Sequence, residues 1–416
     1  MGPRVFLQTF GCRANQYDSE AVAAMVAAAG GSLVHSPADA DVAVFNSCAV
    51  TQAAEADLRQ AVRRASRSHT SLRTVVMGCA AARSTEQIAA LPSVTAVVPG
   101  ADMLAIADAL GLDPQVIAPA TFGQRGTRGL LRIQDGCDEH CTFCATTLAR
   151  GANRSRAVSA LVEEAAALAP HHPEIVLTGI HIGTYGADIG ASLGALVATL
   201  LVAVPTVRFR LSSVEATEVD AQLAELLTDS GGRLAPYLHA PLQSASDAVL
   251  RRMGRHWYTA REYADAVRSL AASTSVFGLG ADLIAGFPGE TDADHAETVA
   301  LVVDLPFTSL HVFPYSPRPG TAALRLAGDV PDAVRRERAA ELRAIAERKA
   351  AAYRAARVGG AADVVVIGHE DGARDGLTED YLAVDLDQPA PARGTRFQAT
   401  LHVAATRRGL LALPLH

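Results

Sequence analysis

Three cysteines in one short loop place the strongest constraint on what this chain can fold around. Cys137, Cys141 and Cys144 have the spacing C-x3-C-x2-C. Three thiolates on one loop can hold three corners of a [4Fe–4S] cube, and the fourth iron then stays open, because a closed cluster normally takes four cysteines. The alternatives are a zinc site, for which His140 would have to help, and inert buried thiols. Since the strand-like segment LLRIQDG precedes the loop, we expect the cluster at the carboxyl end of a sheet.

The other three cysteines are scattered through the first part of the chain. They are Cys12, Cys48 and Cys79. Each follows a strand-like segment and stands beside a glycine or a serine. Cysteines at separate strand–loop junctions can converge at one end of a sheet, where three ligands would again leave one iron open. Three independent core cysteines are the alternative, because unpaired cysteine is often buried. We expect a second [4Fe–4S] cluster, with no cysteine left as a fourth ligand at either site.

Length and composition favour an α/β enzyme of more than one domain. The 416 residues are enough for two or three domains, and 49% of them are hydrophobic while 5% are aromatic. No apolar run of about 18 residues suggests a membrane helix, and the first residues lack a signal-peptide pattern, so we expect a cytoplasmic protein with no membrane partner. The net charge of −7 gives no global basic field, which weakens a nucleic-acid partner without excluding one.

The order of strand-like and helix-like segments predicts three domains. Strands and helices alternate over residues 1–115, which implies a parallel sheet covered by helices. After a linker-like stretch at about 115–129, a longer β/α series indicates a full or partial parallel barrel, and we assign this domain to 125–357. Residues 331–357 form an Ala/Arg/Glu-rich helix. Short strands separated by turns over 358–416 suggest a small β-barrel.

The cysteine loop resembles the signature of the radical S-adenosylmethionine (SAM) superfamily, CxxxCxxC with an aromatic residue before the third cysteine. That residue is Phe143 here, and the resemblance places it beside the SAM adenine. The wider pattern resembles the methylthiotransferase family, whose members have an N-terminal three-cysteine domain, a radical SAM domain and a C-terminal TRAM domain. The segments TFGCRANQ, NSCAVT and GCA look like the three N-terminal cysteine motifs of that family. The resemblance covers nearly the whole chain.

Further segments of the central region supply the predicted cofactor contacts. EIVLTGIH and ADLIAGFPGE resemble family segments, PLQSAS resembles one usually written with QSGS, and SSVE ends another strand. The predicted contacts are Phe143, Thr178, Gly179, Ser213, Glu215, Gln243 and Asp282. Each has a simpler interpretation, since glycines can serve only as turn residues, and His181, His239 and His311 can be core or rim histidines.

The stretch after the third central cysteine and the runs of arginines each allow more than one interpretation. Ala145–Leu148 replaces the branched aliphatics and Pro-Tyr that relatives usually have after the third cysteine. Arginines recur after this stretch, where they could contact phosphate or the SAM carboxylate and a solvated charged loop is the alternative. Basic residues also recur on two helices, where a solvated face is the expected interpretation and contact with the RNA backbone the alternative. Those after the stretch are Arg150, Arg154 and Arg156, and those on the helices are Arg59, Arg63, Arg64 and Arg67, and the late-helix residues Arg335, Arg336, Arg338, Arg343, Arg348, Lys349, Arg354 and Arg357. The C-terminal region is acidic, which puts RNA binding by that domain in doubt.

The resemblance implies a tRNA methylthiotransferase that uses two [4Fe–4S] clusters and SAM. The cluster at the central loop would cleave SAM reductively, and the N-terminal cluster would supply sulfur to C2 of a modified adenine beside the anticodon. The opening segment looks most like the enzymes for N6-threonylcarbamoyladenosine at position 37. Enzymes for N6-isopentenyladenosine and for an aspartate of a ribosomal protein are the alternatives. Partners would be the tRNA anticodon loop, a flavodoxin- or ferredoxin-type electron donor and a sulfur donor. A scaffold that has lost catalysis is disfavoured, because all six cysteines are present.

Overall fold

The chain forms three successive sheet systems, each with a hydrophobic core of its own. The computed structural model describes residues 2–48, 52–68, 71–113, 123–368, 374–406 and 408–415. Most of the predicted linker falls on residues 114–122, outside the described residues. The mixed α/β class predicted from the sequence is confirmed, and the exact domain boundaries stay predictions.

The N-terminal sheet is parallel and five-stranded, in the order β2-β1-β3-β4-β5. Its strands are β1 (Arg4–Thr9), β2 (Ser32–Val34), β3 (Val42–Ser47), β4 (Arg73–Gly78) and β5 (Val94–Pro99). Its helices are α1 (Arg13–Ala28), α2 (Gln52–Ser68), α3 (Cys79–Arg83), α4 (Thr85–Ala89) and α5 (Met103–Leu110). All six residues of β3 are buried, as expected where helices cover both faces of a parallel sheet. The edge strands β2 and β5 were not predicted, since neither has a long apolar run.

The central region is a partial barrel of two parallel three-stranded sheets, ordered β10-β9-β6 and β11-β12-β13. Bridges between Phe209 and Leu234 and between Ser213 and His239 join the two sheets. The strands are β6 (Gly129–Arg132), β9 (Glu174–Thr178), β10 (Arg208–Leu211), β11 (Tyr237–His239), β12 (Gly278–Ala285) and β13 (Ser309–Pro314), and β7 (Gln134–Asp135) pairs separately with β8 (Arg154–Ser155). The helices are α6 (Thr146–Arg150), α7 (Val158–Leu168), α8 (Leu193–Ala203), α9 (Ala221–Thr228), α10 (Asp247–Arg252), α11 (Ala260–Ala272), α12 (Asp292–Asp304) and α13 (Asp332–Arg357).

The C-terminal strands close into a small barrel in the order β14-β15-β16-β18-β17. They are β14 (Ala361–Gly368), β15 (Arg374–Leu377), β16 (Ala383–Leu386), β17 (Arg396–Val403) and β18 (Leu410–Pro414). The predicted small β-barrel is therefore confirmed. The sequence pattern missed β15, a four-residue strand with a glycine in it.

A buried ion cluster joins the central barrel to the C-terminal barrel. The Glu174 carboxylate receives Arg208 Nε at 2.6 Å and Arg210 Nε at 2.9 Å, and all three side chains are fully buried. Although burial favours the neutral acid, Arg210 and Arg208 hold the pKa of Glu174 well below its usual range. Arg208 also contacts Asp363 at 3.1 Å, and Arg210 donates to the carbonyl of Thr378 at 2.9 Å. The two arginines therefore reach across the domain boundary with their charge already compensated.

Many carboxylates of the C-terminal barrel form ion pairs with arginines of the same protein. The paired acids are Asp363, Asp375, Glu379, Asp380 and Asp385. Their negative charge is therefore partly compensated inside the protein, since Arg357 and Arg408 each pair with two of these acids.

Three arginines of α13 correct the sequence analysis. Arg335, Arg338 and Arg357 are buried, with exposures between 5% and 7%, so neither a solvated face nor RNA contact describes them. Arg338 pairs with Glu290 at 2.8 Å and Arg357 with Asp380 at 2.8 Å. A sequence run does not reveal such partners, because they come from distant elements. On α2, by contrast, Arg63, Arg64 and Arg67 are exposed, and both interpretations stand there.

Candidate active site

The three N-terminal cysteines lie at the carboxyl edge of neighbouring strands. Cys12 follows β1, Cys48 follows β3 and Cys79 follows β4, and these strands are adjacent in the sheet. Cys79 lies within electrostatic range of both Cys12 and Cys48. Cys12 Sγ donates to Asn15 Oδ1 at 3.3 Å, and the Asn15 amide donates to the Ser47 carbonyl at 2.9 Å, which links the loops of Cys12 and Cys48. The structure thus brings together the three thiols that the sequence predicted to converge.

The loop of Cys12 packs so closely on Cys48 that only glycine fits at position 11. Gly11 has a φ of +103°, and a Cβ built there would lie 2.6 Å from the Cys48 Cβ and 2.7 Å from its Sγ. A side chain at position 11 would therefore displace Cys48.

We expect Gly11→Ala to reduce iron loading by about half, because it moves one of the three thiols that would hold one cluster. Gly111→Ala is the matched control, since Gly111 also has a positive φ, of +70°, but a Cβ there meets nothing within 4 Å. Both variants carry a similar backbone penalty of about 1–2 kcal/mol. Iron analysis of the reconstituted variants checks the expectation, and equal iron contents in the two would contradict it.

Arg150 connects the N-terminal domain to the central barrel beside these thiols. Its guanidinium pairs with Asp18 of α1 at 2.7 Å and with Asp135 at 3.4 Å. Burial raises the pKa of Cys79 to about 11, opposed by the charge of Arg150 and by a hydrogen bond from it. Arg150 is therefore neither a solvated loop residue nor a phosphate contact. Likewise, Arg156 pairs with Glu164 at 2.6 Å.

The central cysteine loop rests on two charged pairs. Cys137 Sγ lies 3.5 Å from His181 Nδ1, and His181 Nε2 lies 2.8 Å from Glu218. Cys141 Sγ lies 3.7 Å from the Arg255 guanidinium, which also pairs with Glu215 at 2.5 Å.

The six thiols suit metal binding better than disulfide formation. None of them forms a disulfide. Burial raises the pKa of Cys141 to about 12, so this thiol is neutral until a metal displaces its proton.

Arg318 lies within electrostatic range of one thiol of each group, Cys48 and Cys144, and its pKa is lowered by burial and by the nearby Arg83. The two groups of thiols therefore approach a common region. Two sets of three cysteines fit two clusters that each keep an iron open.

A cavity of about 380 Å³ lies between the three domains. The N-terminal domain contributes Cys12 and Arg13, and the C-terminal barrel contributes Tyr381. Ala14 of the N-terminal domain also lines the cavity. All other lining residues belong to the central domain: Thr146, Thr178, Gly179, Ile180, Leu211, Ser212, Ser213, Tyr237, His239, Asp282 and His311. Apolar atoms make up more of the cavity surface than polar atoms, and its ionisable side chains include Arg13, His239, Asp282 and His311.

The predicted cofactor contacts divide into two sets. Thr178, Gly179, Ser213 and Asp282 line the cavity. Phe143, Glu215 and Gln243 do not line the cavity. Phe143 packs edge-on against Phe287, and Glu215 is buried against Arg255. The backbone N–H of Gln243 donates to the carbonyl of Asp282 on the neighbouring strand. Contact of these residues with SAM stays a prediction.

Tyr381 is the main residue that the sequence analysis missed. Its ring stacks on Tyr237 with the ring centroids 4.6 Å apart, and its hydroxyl accepts from Arg13 at 2.7 Å. Arg13, Arg128 and Arg210 lower the pKa of Tyr381 although burial opposes them. A φ of +72°, unusual for tyrosine, is the only local peculiarity, and the sequence does not show it.

Asp282 of β12 is held between His239, the last residue of β11, and His311 of β13. His239 Nε2 and His311 Nδ1 each lie 3.1 Å from Asp282 Oδ1. Burial opposes the charged carboxylate, but both histidines hold the pKa of Asp282 well below its usual range. His239 and His311 had the simpler interpretation of core or rim histidines, and the structure shows that they form one cluster with Asp282.

Two family models together match much of the chain. One, described as the Radical SAM superfamily, matches residues 131–302, and one described as Uncharacterized protein family UPF0004 matches residues 4–100. In the described ranges, no helix combines the length and apolarity needed to cross a bilayer.

Several curated proteins are similar over most of their length. The chain is 37% identical to "Threonylcarbamoyladenosine tRNA methylthiotransferase MtaB" of Bacillus subtilis, over 84% of this chain and 81% of that protein. The protein of the same name from Thermotoga maritima is 34% identical, over 85% and 84%. A "tRNA-2-methylthio-N(6)-dimethylallyladenosine synthase" of Erythrobacter litoralis is also 34% identical, over 86% and 85%.

One solved structure supports the fold. The radical S-adenosylmethionine methyltransferase TsrM from Kitasatospora setae superposes with a TM-score of 0.55 at 14% identity, covering 74% of this chain and 73% of that one. At this identity, the similarity concerns the fold alone. The family models and the curated proteins confirm the resemblance drawn from the cysteine motifs.

Proposed function

The chain belongs to the radical SAM methylthiotransferase family that modifies tRNA, and we propose that it methylthiolates C2 of N6-threonylcarbamoyladenosine at position 37. As a member of this family, it is a transferase. The observation that carries the choice of adenosine is the charged cluster of His239, Asp282 and His311 in the wall of the cavity between the three domains.

SAM and [4Fe–4S] clusters are the cofactors of this family. When bound, they supply the radical chemistry and the sulfur, and the protein supplies binding and orientation. The residues that would hold the clusters are Cys137, Cys141 and Cys144 for the one that binds SAM, and Cys12, Cys48 and Cys79 for the other. Arg150 and Arg255 lie against one thiol of each group, where a cation compensates the charge that a thiolate carries.

The chain's own residues shape a site for a single nucleotide. A base can reach the cavity only after it is unstacked from the anticodon loop, and such extruded bases stack on aromatic side chains. Tyr237 and Tyr381 offer stacked rings in the wall of the cavity. Arg13 fixes the Tyr381 hydroxyl from the N-terminal side, so that the cavity is closed by all three domains.

The cluster of His239, Asp282 and His311 favours the threonylcarbamoyl substituent over an isopentenyl group. A threonylcarbamoyl group carries a carboxylate, a hydroxyl and urea-like N–H groups, whereas an isopentenyl group is a hydrocarbon. An apolar group beside Asp282 and His311 would exclude water from charged side chains and give no hydrogen bonds in return, which costs free energy. The isopentenyl substrate is the second candidate, because the Erythrobacter litoralis relative is as similar as the Thermotoga maritima protein.

Nucleoside mass spectrometry of tRNA from a strain that lacks this gene tests the proposal. We expect the methylthio derivative of threonylcarbamoyladenosine to disappear while methylthio-isopentenyladenosine, where the strain makes it, is unchanged. Re-expression of the wild-type chain should restore the product, and the Cys141→Ser variant should not. Loss of the isopentenyl product instead would transfer the assignment to the second candidate, and unchanged tRNA would refute both.

Other partners follow from this proposal. A tRNA substrate places the protein in the cytoplasm. An electron donor of the flavodoxin or ferredoxin type and a donor that renews the sulfur stay predictions from the family resemblance.

A further inference from the structure

The His239–Asp282–His311 cluster is positioned to contact the substituent of the substrate base. The three side chains come from three adjacent strands of the barrel, β11, β12 and β13, and all three line the cavity. Cys12 lines the same cavity from the opposite domain. A ligand between them would therefore meet the sulfur-side cysteines at one end and this cluster at the other.

The two histidines differ in what they can offer to a ligand. His239 uses both ring nitrogens, one toward Asp282 at 3.1 Å and one toward the Tyr237 hydroxyl at 3.3 Å. His311 uses only Nδ1, toward Asp282, and in the part of the chain that the structure describes its Nε2 makes no hydrogen bond. The His311 side chain is 63% exposed, against 11% for His239. His311 is therefore the member of the cluster with a donor left for a ligand.

Asp282 favours the protonated form of His311. The hydrogen bond that His311 donates to Asp282 raises the pKa of His311, and partial burial opposes it. Arg13, another cation in the cavity lining, already donates to the Tyr381 hydroxyl and lies over its ring. A cationic imidazole with one N–H directed away from Asp282 suits an anionic oxygen.

We propose that His311, oriented by Asp282, binds the carboxylate of the threonylcarbamoyl group and thereby selects this substrate over adenosines with an uncharged or apolar substituent. This inference rests on the proposed function. It assigns a task to one residue that the family resemblance left undefined. The paired Asp282 keeps the ring in place, and His239 contacts the same oxygen of the Asp282 carboxylate.

A metal ion is the competing interpretation of the same cluster. One donor atom of each residue lies within 4.8 Å of the other two, a spacing that a divalent cation could bridge. In that case both imidazoles would present an unprotonated nitrogen to the ion, and His311 would have no charge to offer. The two interpretations therefore predict different results for the same variants.

The test compares binding of two anticodon stem-loops by the cluster-loaded, full-length protein. One carries threonylcarbamoyladenosine at position 37 and the other carries unmodified adenosine. We expect the wild type to bind the modified stem-loop about 10- to 100-fold more tightly, the usual range for a charge-assisted hydrogen bond. In His311→Phe, and in His311→Gln, which keeps a polar but uncharged side chain, this ratio should fall close to one.

His402→Phe is the matched control, because His402 is an exposed histidine of β17 outside the cavity lining. This variant should keep the wild-type ratio. A ratio that is unchanged in both His311 variants, or close to one already in the wild type, would overturn the inference. So would one extra metal ion per chain, found by elemental analysis of the wild type and lost in His311→Phe.

The outcome separates this inference from the function on which it rests. If the wild type fails to methylthiolate threonylcarbamoyladenosine in tRNA, the proposed function is wrong. If the wild type does so and the His311 variants keep its selectivity, only the role of His311 is wrong.

Discussion

Serine in place of Cys48 should remove about half of the iron from the reconstituted protein and abolish methylthiolation of tRNA, while SAM is still cleaved to 5′-deoxyadenosine. Cys48 is buried beside Cys12 and Cys79, in a different loop from the central cysteines. A buried serine hydroxyl is a poor replacement for a thiolate ligand of iron. The central loop keeps all three of its thiols, so the chemistry that depends on it continues.

Iron and sulfide analysis after anaerobic reconstitution measures the first part of this expectation. The wild type should contain about eight irons and the variant about four. Cys141→Ser is the reciprocal control, which should also lose about four irons but stop both SAM cleavage and methylthiolation. A wild type with about four irons, or a Cys48→Ser variant that loses SAM cleavage together with its iron, would contradict the assignment of two separate clusters.

Glu174→Gln should destabilise the protein by about 3–5 kcal/mol, because it removes the counter-ion of the buried Arg210 and leaves the buried Arg208 with Asp363 alone. Arg208 and Arg210 are fully buried, and Glu174 is the one carboxylate that both of them contact. Their hydrogen bonds to the C-terminal barrel depend on the orientation that Glu174 imposes. The C-terminal barrel should therefore be the first part of the chain to become susceptible to protease.

Urea unfolding and limited proteolysis check this expectation. Asp304→Asn is the matched control, since it removes one carboxylate from an exposed pair with Arg268 and should leave the urea midpoint unchanged. Equal midpoints for the two variants would show that the buried cluster contributes no more than a surface pair.

The cysteine sites were predictable because their arrangement follows from local rules. Parallel strands carry their carboxyl ends at one edge, so cysteines after β1, β3 and β4 were expected to meet there. The central loop contains its whole ligand set within eight residues. Strand alternation also indicated the partial barrel and the C-terminal barrel before any contact was known.

The remaining parts of the site depend on contacts between distant segments. Tyr381 reaches the cavity because the C-terminal barrel packs against the central barrel, in part through Arg208 and Arg210, and its segment YLAVDL indicates a strand and nothing more. Arg150 and Arg338 belong to runs of arginines that resemble a solvated surface. Their acidic partners lie far away in the sequence, so composition and spacing could not identify them.

The position of Tyr381 makes docking of the C-terminal barrel and occupancy of the cavity two thermodynamically linked equilibria. A ligand that contacts Tyr381 binds the docked form more tightly than an undocked one, by some factor. By reciprocity, the same factor measures how much the ligand favours docking. A variant such as Glu174→Gln should therefore weaken tRNA binding without touching the substrate, and a bound stem-loop should protect the C-terminal barrel from protease.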